Sequence, residues 1–107
     1  MKVGDSVRVK PGILDPDLSF DIGGWQGRVR EVHGVKTVDI EWDSVTLRQM
    51  GLELIIKCEN DNLDWRCMTL NQDEVEVVGS RDAQEDVAAT VHELHDEMDG
   101  DPRLNEE

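Results

Sequence analysis

Tyrosine is absent from this chain of 107 residues, phenylalanine occurs once and cysteine twice. The aromatic part of any core therefore rests on Trp25, Trp42 and Trp65. Cys58 and Cys67 make no disulfide framework, and in a reducing compartment they stay thiols. No apolar run approaches the ~20 residues that a membrane-spanning helix needs. Met1 leads straight into a strand-like segment without a secretory leader, so the expectation is a cytoplasmic protein. Basic residues are scarce, with 11 Lys and Arg against 25 Asp and Glu and a formal net charge of −14. A field of that sign repels phosphate backbones; it disfavours direct nucleic-acid binding and favours basic proteins or divalent cations. A catalytic set is also missing. Ser44 follows Asp43 without an obvious histidine, His33 reads as part of a tight turn, and Gly23-Gly24 lacks a phosphate-binding pattern. The expectation is a protein that is not an enzyme.

What is present is period-two alternation broken by glycine. Gly4-Asp5-Ser6-Val7-Arg8-Val9 and Gly24-Trp25-Gln26-Gly27-Arg28-Val29 are followed by Val38-Asp39-Ile40-Glu41-Trp42. Such a pattern describes a small, strongly bent, antiparallel β-barrel. The first strand is expected from Val3 to Lys10, with Val3, Val7 and Val9 on one face. A two-residue turn at His33-Gly34 would pair Val29 with Val38, Gly27 with Ile40 and Trp25 with Trp42. The opposite face would then pair Arg28 with Asp39 and Gln26 with Glu41. Asp43-Ser44 reads as a turn into a short strand, Val45 to Arg48. Helical spacing follows from Met50 to Asn60, with Asn62 as a left-handed terminator. Residues 65–70 are extended, and Glu74 to Val78 closes the barrel with Val75 and Val77 inward.

The charge divides the chain. Residues 1–79 carry 15 acidic and nine basic side chains, whereas residues 80–107 carry ten and two. The expected organisation is a barrel over 1–79 and an acidic helical extension over 80–107, disordered from Arg103. Within the extension, residues 82–99 read as an amphipathic helix with Asp82 as cap. Its apolar stripe runs through Ala83, Val87, Val91, Leu94 and Met98. A helix of this length is marginal alone, so it should dock on the barrel, on a second copy to form a homodimer, or on a partner.

The order of elements resembles SH3-like barrels, and the two glycine-anchored stretches resemble their KOW and Tudor-type members, which bind RNA, ribosomal or transcription proteins, or modified peptides. The phrases Gly23-Gly24-Trp25-Gln26-Gly27, Trp42-Asp43-Ser44-Val45-Thr46-Leu47, Cys58-Glu59 and Leu63-Asp64-Trp65 are similar to a family of short uncharacterised bacterial proteins, some labelled calcium-binding protein. Gly51 stands where that family often has proline. The resemblance implies a mainly β fold: a five-stranded antiparallel SH3-like barrel with a short inserted helix, here followed by the C-terminal amphipathic helix. It implies no catalytic residues.

The calcium label directs attention to the loop between the first two strands. Asp15, Asp17, Ser19 and Asp21 alternate as EF-hand ligands do. Phe20 then replaces the sixth-position glycine and Gln26 the twelfth-position glutamate, which leaves a looser oxygen cage from Asp15, Asp17 and Asp21. Other candidates are weaker in pattern. Cys58, Cys67, His92 and His95 have zinc-ligand residue types without zinc-finger spacing. His92 and His95 lie one turn apart on the expected helix. Trp25 and Trp42 form either a core pair or a ligand-facing aromatic pair for a cation, while Trp65 reads as a core plug. Together these features lead to a cytoplasmic protein-interaction module for a basic partner. The alternatives are a calcium or other divalent-cation binder using the Asp15–Asp21 loop, and an acidic mimic of nucleic acid.

Overall fold

The alternating segments form one antiparallel sheet in the computed structural model, which describes residues 1–15 and 21–104. Its strands are β1 (Ser6–Val9), β2 (Gln26–His33), β3 (Thr37–Trp42), β4 (Cys67–Asn71) and β5 (Val75–Val77), in the order β4-β3-β2-β1-β5. Among the described residues no ladder joins β4 to β5, and the strands pair as a five-stranded antiparallel open sheet. Three helices, α1 (Ser44–Met50), α2 (Leu52–Asn60) and α3 (Gln84–Asp99), make the domain mixed and sheet-rich instead of mainly β. The core gathers Val7, Val9, Val29, Val38, Ile40, Trp42 and Val75 from the sheet with Leu47, Ile55 and Ile56 from the helices. Val3 and Val77, expected inward, are exposed: Val3 precedes β1, and Val77 ends the edge strand β5.

The hairpin forms, in a different register from the expected one. Gly27 faces Trp42, Arg28 faces Glu41 and Val29 faces Ile40; the ladder then slips, and Glu31 faces Asp39, Val32 faces Val38 and His33 faces Thr37. Arg30 is the extra residue of a β-bulge, and the turn is Gly34-Val35-Lys36 rather than His33-Gly34. The bulge lets Val29 and Val32, three apart, both face inward, which a regular strand forbids. Counting from a two-residue turn missed both changes. Trp25 and Trp42 nonetheless meet, with ring centroids 5.2 Å apart at 88°. A Cβ on Gly27 would strike the Glu41 carbonyl oxygen and lie 2.8 Å from Ile40 Cγ2.

The short strand expected at Val45–Arg48 is helix α1. Its β-branched Val45 and Thr46 suggest strand locally, but capping decides otherwise. Asp43, extended at ψ 170°, accepts a hydrogen bond from Thr46 N at 2.8 Å. Helix α2 ends as expected at Asn62, whose φ is 59°. Leu63 N donates to Cys58 O and Asn62 N to Glu59 O, the two bonds of a Schellman terminus.

Helix α3 packs on its own domain, against α1 and α2, and buries Val87, Thr90, Leu94 and Met98. Each large apolar side chain contributes about 1.5–3 kcal/mol when fully buried, and that burial holds a helix that is weak alone. Asp82 does not cap α3, which starts two residues later; Asp86 accepts from Ala83 N instead. Asp82 reaches across to α1, accepting from Ser44 N at 2.8 Å and Ser44 Oγ at 2.6 Å, and pairs with Arg28 at 2.7 Å. Arg81 pairs with the Asp43 carboxylate at 2.7 Å and donates to Thr46 Oγ1. The expected boundary at Gly79-Ser80 is thus fastened to the sheet, with Gln26 Nε2 donating to Gly79 O as well. Near the carboxyl end Arg103 pairs with Asp101, and Asn60 Nδ2 donates to Arg103 O.

Burial opposes ionisation of Asp82, but the Ser44 hydroxyl and amide and the Arg28 guanidinium outweigh it and hold the carboxyl below its ordinary range. A carboxyl lowered on folding contributes stability above its unfolded value, near ~3.9, and loses it as pH falls through the folded value. Asp82→Ala is expected to cost about 2–3 kcal/mol in urea denaturation at neutral pH, and to flatten the loss of stability that the parent shows below pH ~4. Gly27→Ala is expected to cost about 1–3 kcal/mol in the same measurement, because a paired backbone carbonyl has little room to yield.

Candidate functional site

The three tryptophans converge on one cleft of about 380 Å³. Trp42 enters from the end of β3, Trp25 from the residue before β2, and Trp65 from the segment between α2 and β4. Met50 and Met68 add polarizable apolar wall, while Asp15, Asp39 and Asp64 contribute carboxylates. Trp42 is buried against Trp25, and its indole N–H meets no acceptor among the described residues. Trp65, the expected core plug, is buried; its Nε1 donates to Glu59 Oε1 at 2.9 Å, and its ring lies 5.5 Å from that of His95.

The carboxylates differ in setting. Asp15 is buried at 4% exposure. Asp64 is exposed and accepts from Arg66 N and from the Cys67 thiol. Burial works against its charge, and the Arg66 amide, the Cys67 thiol and the Arg66 guanidinium together outweigh that and lower its pKa. Asp39 is lowered by the Thr69 hydroxyl and then by His33. His33 is raised above its ordinary value by its hydrogen bond to Asp39, with the Asp39 and Glu31 charges adding to it against a desolvation cost. An aromatic and thioether wall beside acid groups suits a cation carried on an apolar stem, such as a Lys or Arg side chain.

The residues singled out from sequence fall in several settings. Asp17 lies outside the described residues. Asp15 faces the cleft, whereas Asp21 is exposed, bridges to Leu14 and accepts from Gly23 N at 2.7 Å. Among the described residues the one group of three metal-ligating side chains is Glu31, His33 and Asp39. The set Cys58, Cys67, His92 and His95 forms no such group there. His92 instead lies 3.5 Å from Asp96, one turn on. Ser44 donates to Asp82 and so has no basic partner. Sequence reasoning missed Met50, Met68 and Asp64 as cleft residues, because their meeting depends on how α2 and β4 fold back on β3. It also missed the Glu31–His33–Asp39 group, although Glu31 and His33 two apart do signal a shared strand face.

Against protein-family models, curated proteins and solved structures, the chain finds no match.

Both thiols line the cleft. Burial pushes each above its ordinary value, with the Asp15 charge adding to Cys58 and Asp64 adding to Cys67. A thiol held protonated is a poor nucleophile. Maleimide labelling at pH 8, read by mass spectrometry, should be slower for both than for free cysteine, with half-buried Cys67 reacting first and buried Cys58 reacting on unfolding. Fast labelling of both would contradict this account.

Proposed function

We propose that this chain is a non-enzymatic protein-interaction module of the SH3-like barrel class, acting in the cytoplasm on a partner with a basic surface. A Lys or Arg side chain of that partner enters the tryptophan cleft. The observation that carries this reading is the convergence of Trp25, Trp42 and Trp65 with Asp15, Asp39 and Asp64 around one cleft. Aromatic faces attract a cation, and the carboxylates offset its desolvation. The β4-β3-β2-β1-β5 order and the 3₁₀ turn at Gln72–Glu74 before the last strand support the barrel class, as does the likeness of the Gly4–Val9 and Gly24–Val29 stretches to KOW and Tudor-type members. The exposed face of α3, with Glu85, Glu93, Asp96 and Glu97, extends the negative field and steers a basic partner. Its apolar face is buried in the same chain, which leaves the acidic side for a partner.

The test is titration of the full chain with lysine- and arginine-rich peptides, followed by tryptophan fluorescence and repeated at rising ionic strength. Binding should weaken with salt, and Trp25→Ala should weaken it about tenfold, the loss of roughly one exposed cation–π contact and its packing. Binding indifferent to salt, or unchanged in Trp25→Ala, would sink the reading. Calcium calorimetry on the same protein, with Asp17→Ala as control, tests the alternative use of the Asp15–Asp21 loop. Displacement of a captured basic protein by nucleic acid would favour the mimic.

A further inference from the structure

Glu31, His33 and Asp39 stand together on the outward face of the β2–β3 hairpin. His33 Nε2 lies 3.0 Å from Asp39 Oδ2 and 4.0 Å from Glu31 Oε2, and one ligand atom from each of the three falls within 4.8 Å of the others. We propose that this trio is a surface site for a divalent transition metal of the zinc type. The trio shares Asp39 with the cleft, but the metal site does not require the cleft to bind a partner.

The bulge at Arg30 creates the arrangement. It sets Glu31 directly opposite Asp39, so two carboxylates face each other across the ladder. Two carboxylates and an imidazole thereby direct lone pairs from three residues at one shared space. The Arg30 side chain reaches to Cys67 Sγ at 3.6 Å, and its charge also bears on Asp39. A cation there would meet an oxygen of each carboxylate, and His33 Nε2 already lies within 4.0 Å of both. Thr69 Oγ1 donates to Asp39 Oδ1, which fixes the carboxylate and leaves Oδ2 toward His33. A metal ligand held in this way by an outer hydrogen bond is oriented before the ion arrives.

The donor set selects the ion. One imidazole nitrogen and two carboxylate oxygens suit zinc and its neighbours, whereas calcium seeks six to eight oxygens. Zinc–ligand bonds of about 2.0–2.2 Å place tetrahedral ligands roughly 3.4 Å apart. The 3.0 and 4.0 Å separations bracket that spacing and need only side-chain adjustment. All three residues sit on paired strands, so the backbone is rigid. Glu31 and His33 are exposed, which leaves the remaining coordination positions open to water or to a partner's side chain.

Calorimetry of tag-free, chelator-stripped protein with zinc chloride tests the site, with circular dichroism confirming that each variant folds. One zinc per chain is expected. His33→Ala and Asp39→Asn should each weaken it at least about tenfold. His92→Ala removes the other histidine paired with a carboxylate, His92 with Asp96, and should leave binding unchanged. On adding zinc, the His33 ring resonances should shift or broaden while those of His92 do not. Absence of zinc binding, binding kept in His33→Ala, or displacement of zinc by excess calcium would overturn the proposal.

Discussion

Two carboxylates, Asp43 and Asp82, hold the carboxyl-terminal quarter of this protein to its sheet. Asp43 accepts from Thr46 N and takes both Arg81 Nε and Nη2. Asp82 accepts from Ser44 N and Oγ while pairing with Arg28 of β2. Both charges therefore sit at the amino end of α1, where orphan amides and the helix dipole favour anions. Each is also met by an arginine, one from the sheet and one from the linker before α3. A charged group this buried is costly unless it is fully partnered, and here the partners come from three separate parts of the chain. Helix α3 is in consequence fastened to the sheet and to α1, despite its distinct composition.

The bulge at Arg30 is the second constraint. It converts a strand of fixed parity into one that turns Val29 and Val32 to the core, and it brings Glu31, His33 and Asp39 to one outward face. A local irregularity worth one residue thus shapes both the packing and the surface chemistry of the hairpin. The bare backbone at Gly27 belongs to the same region: its close approach to Glu41 and Ile40 lets β2 and β3 come together beneath the Trp25–Trp42 pair.

The tryptophan cleft follows from scarcity. With no tyrosine and one phenylalanine, the three indoles supply most of the aromatic surface, and they meet at one place. They meet there because β3 ends, α2 folds back and the Leu63–Arg66 segment crosses between α2 and β4. Carboxylates from the first loop, from β3 and from the segment before β4 join them. The concentration of unlike chemistry, apolar faces beside negative charge, separates this cleft from an ordinary core seam.

Sequence alone determined the alternating strands, a helix running to Asn60 with its Asn62 terminator, the amphipathic stripe of α3 and the meeting of Trp25 with Trp42. Each is a local periodicity, a conformational preference of one residue, or a pairing insensitive to small changes of register. Tertiary structure decided what depends on distant partners. Val45–Arg48 is helical because Asp43 and Asp82 cap it, although its own residues favour a strand. The hairpin register rests on a bulge that core packing selects, since only the slip brings Val32 inward opposite Val38. Asp82 left its expected cap because a half-buried guanidinium and a helix end together hold a carboxylate more strongly than one exposed amide does. The cleft and the Glu31–His33–Asp39 group were illegible for the same reason: residues far apart along the chain share a site only once the backbone path between them is fixed.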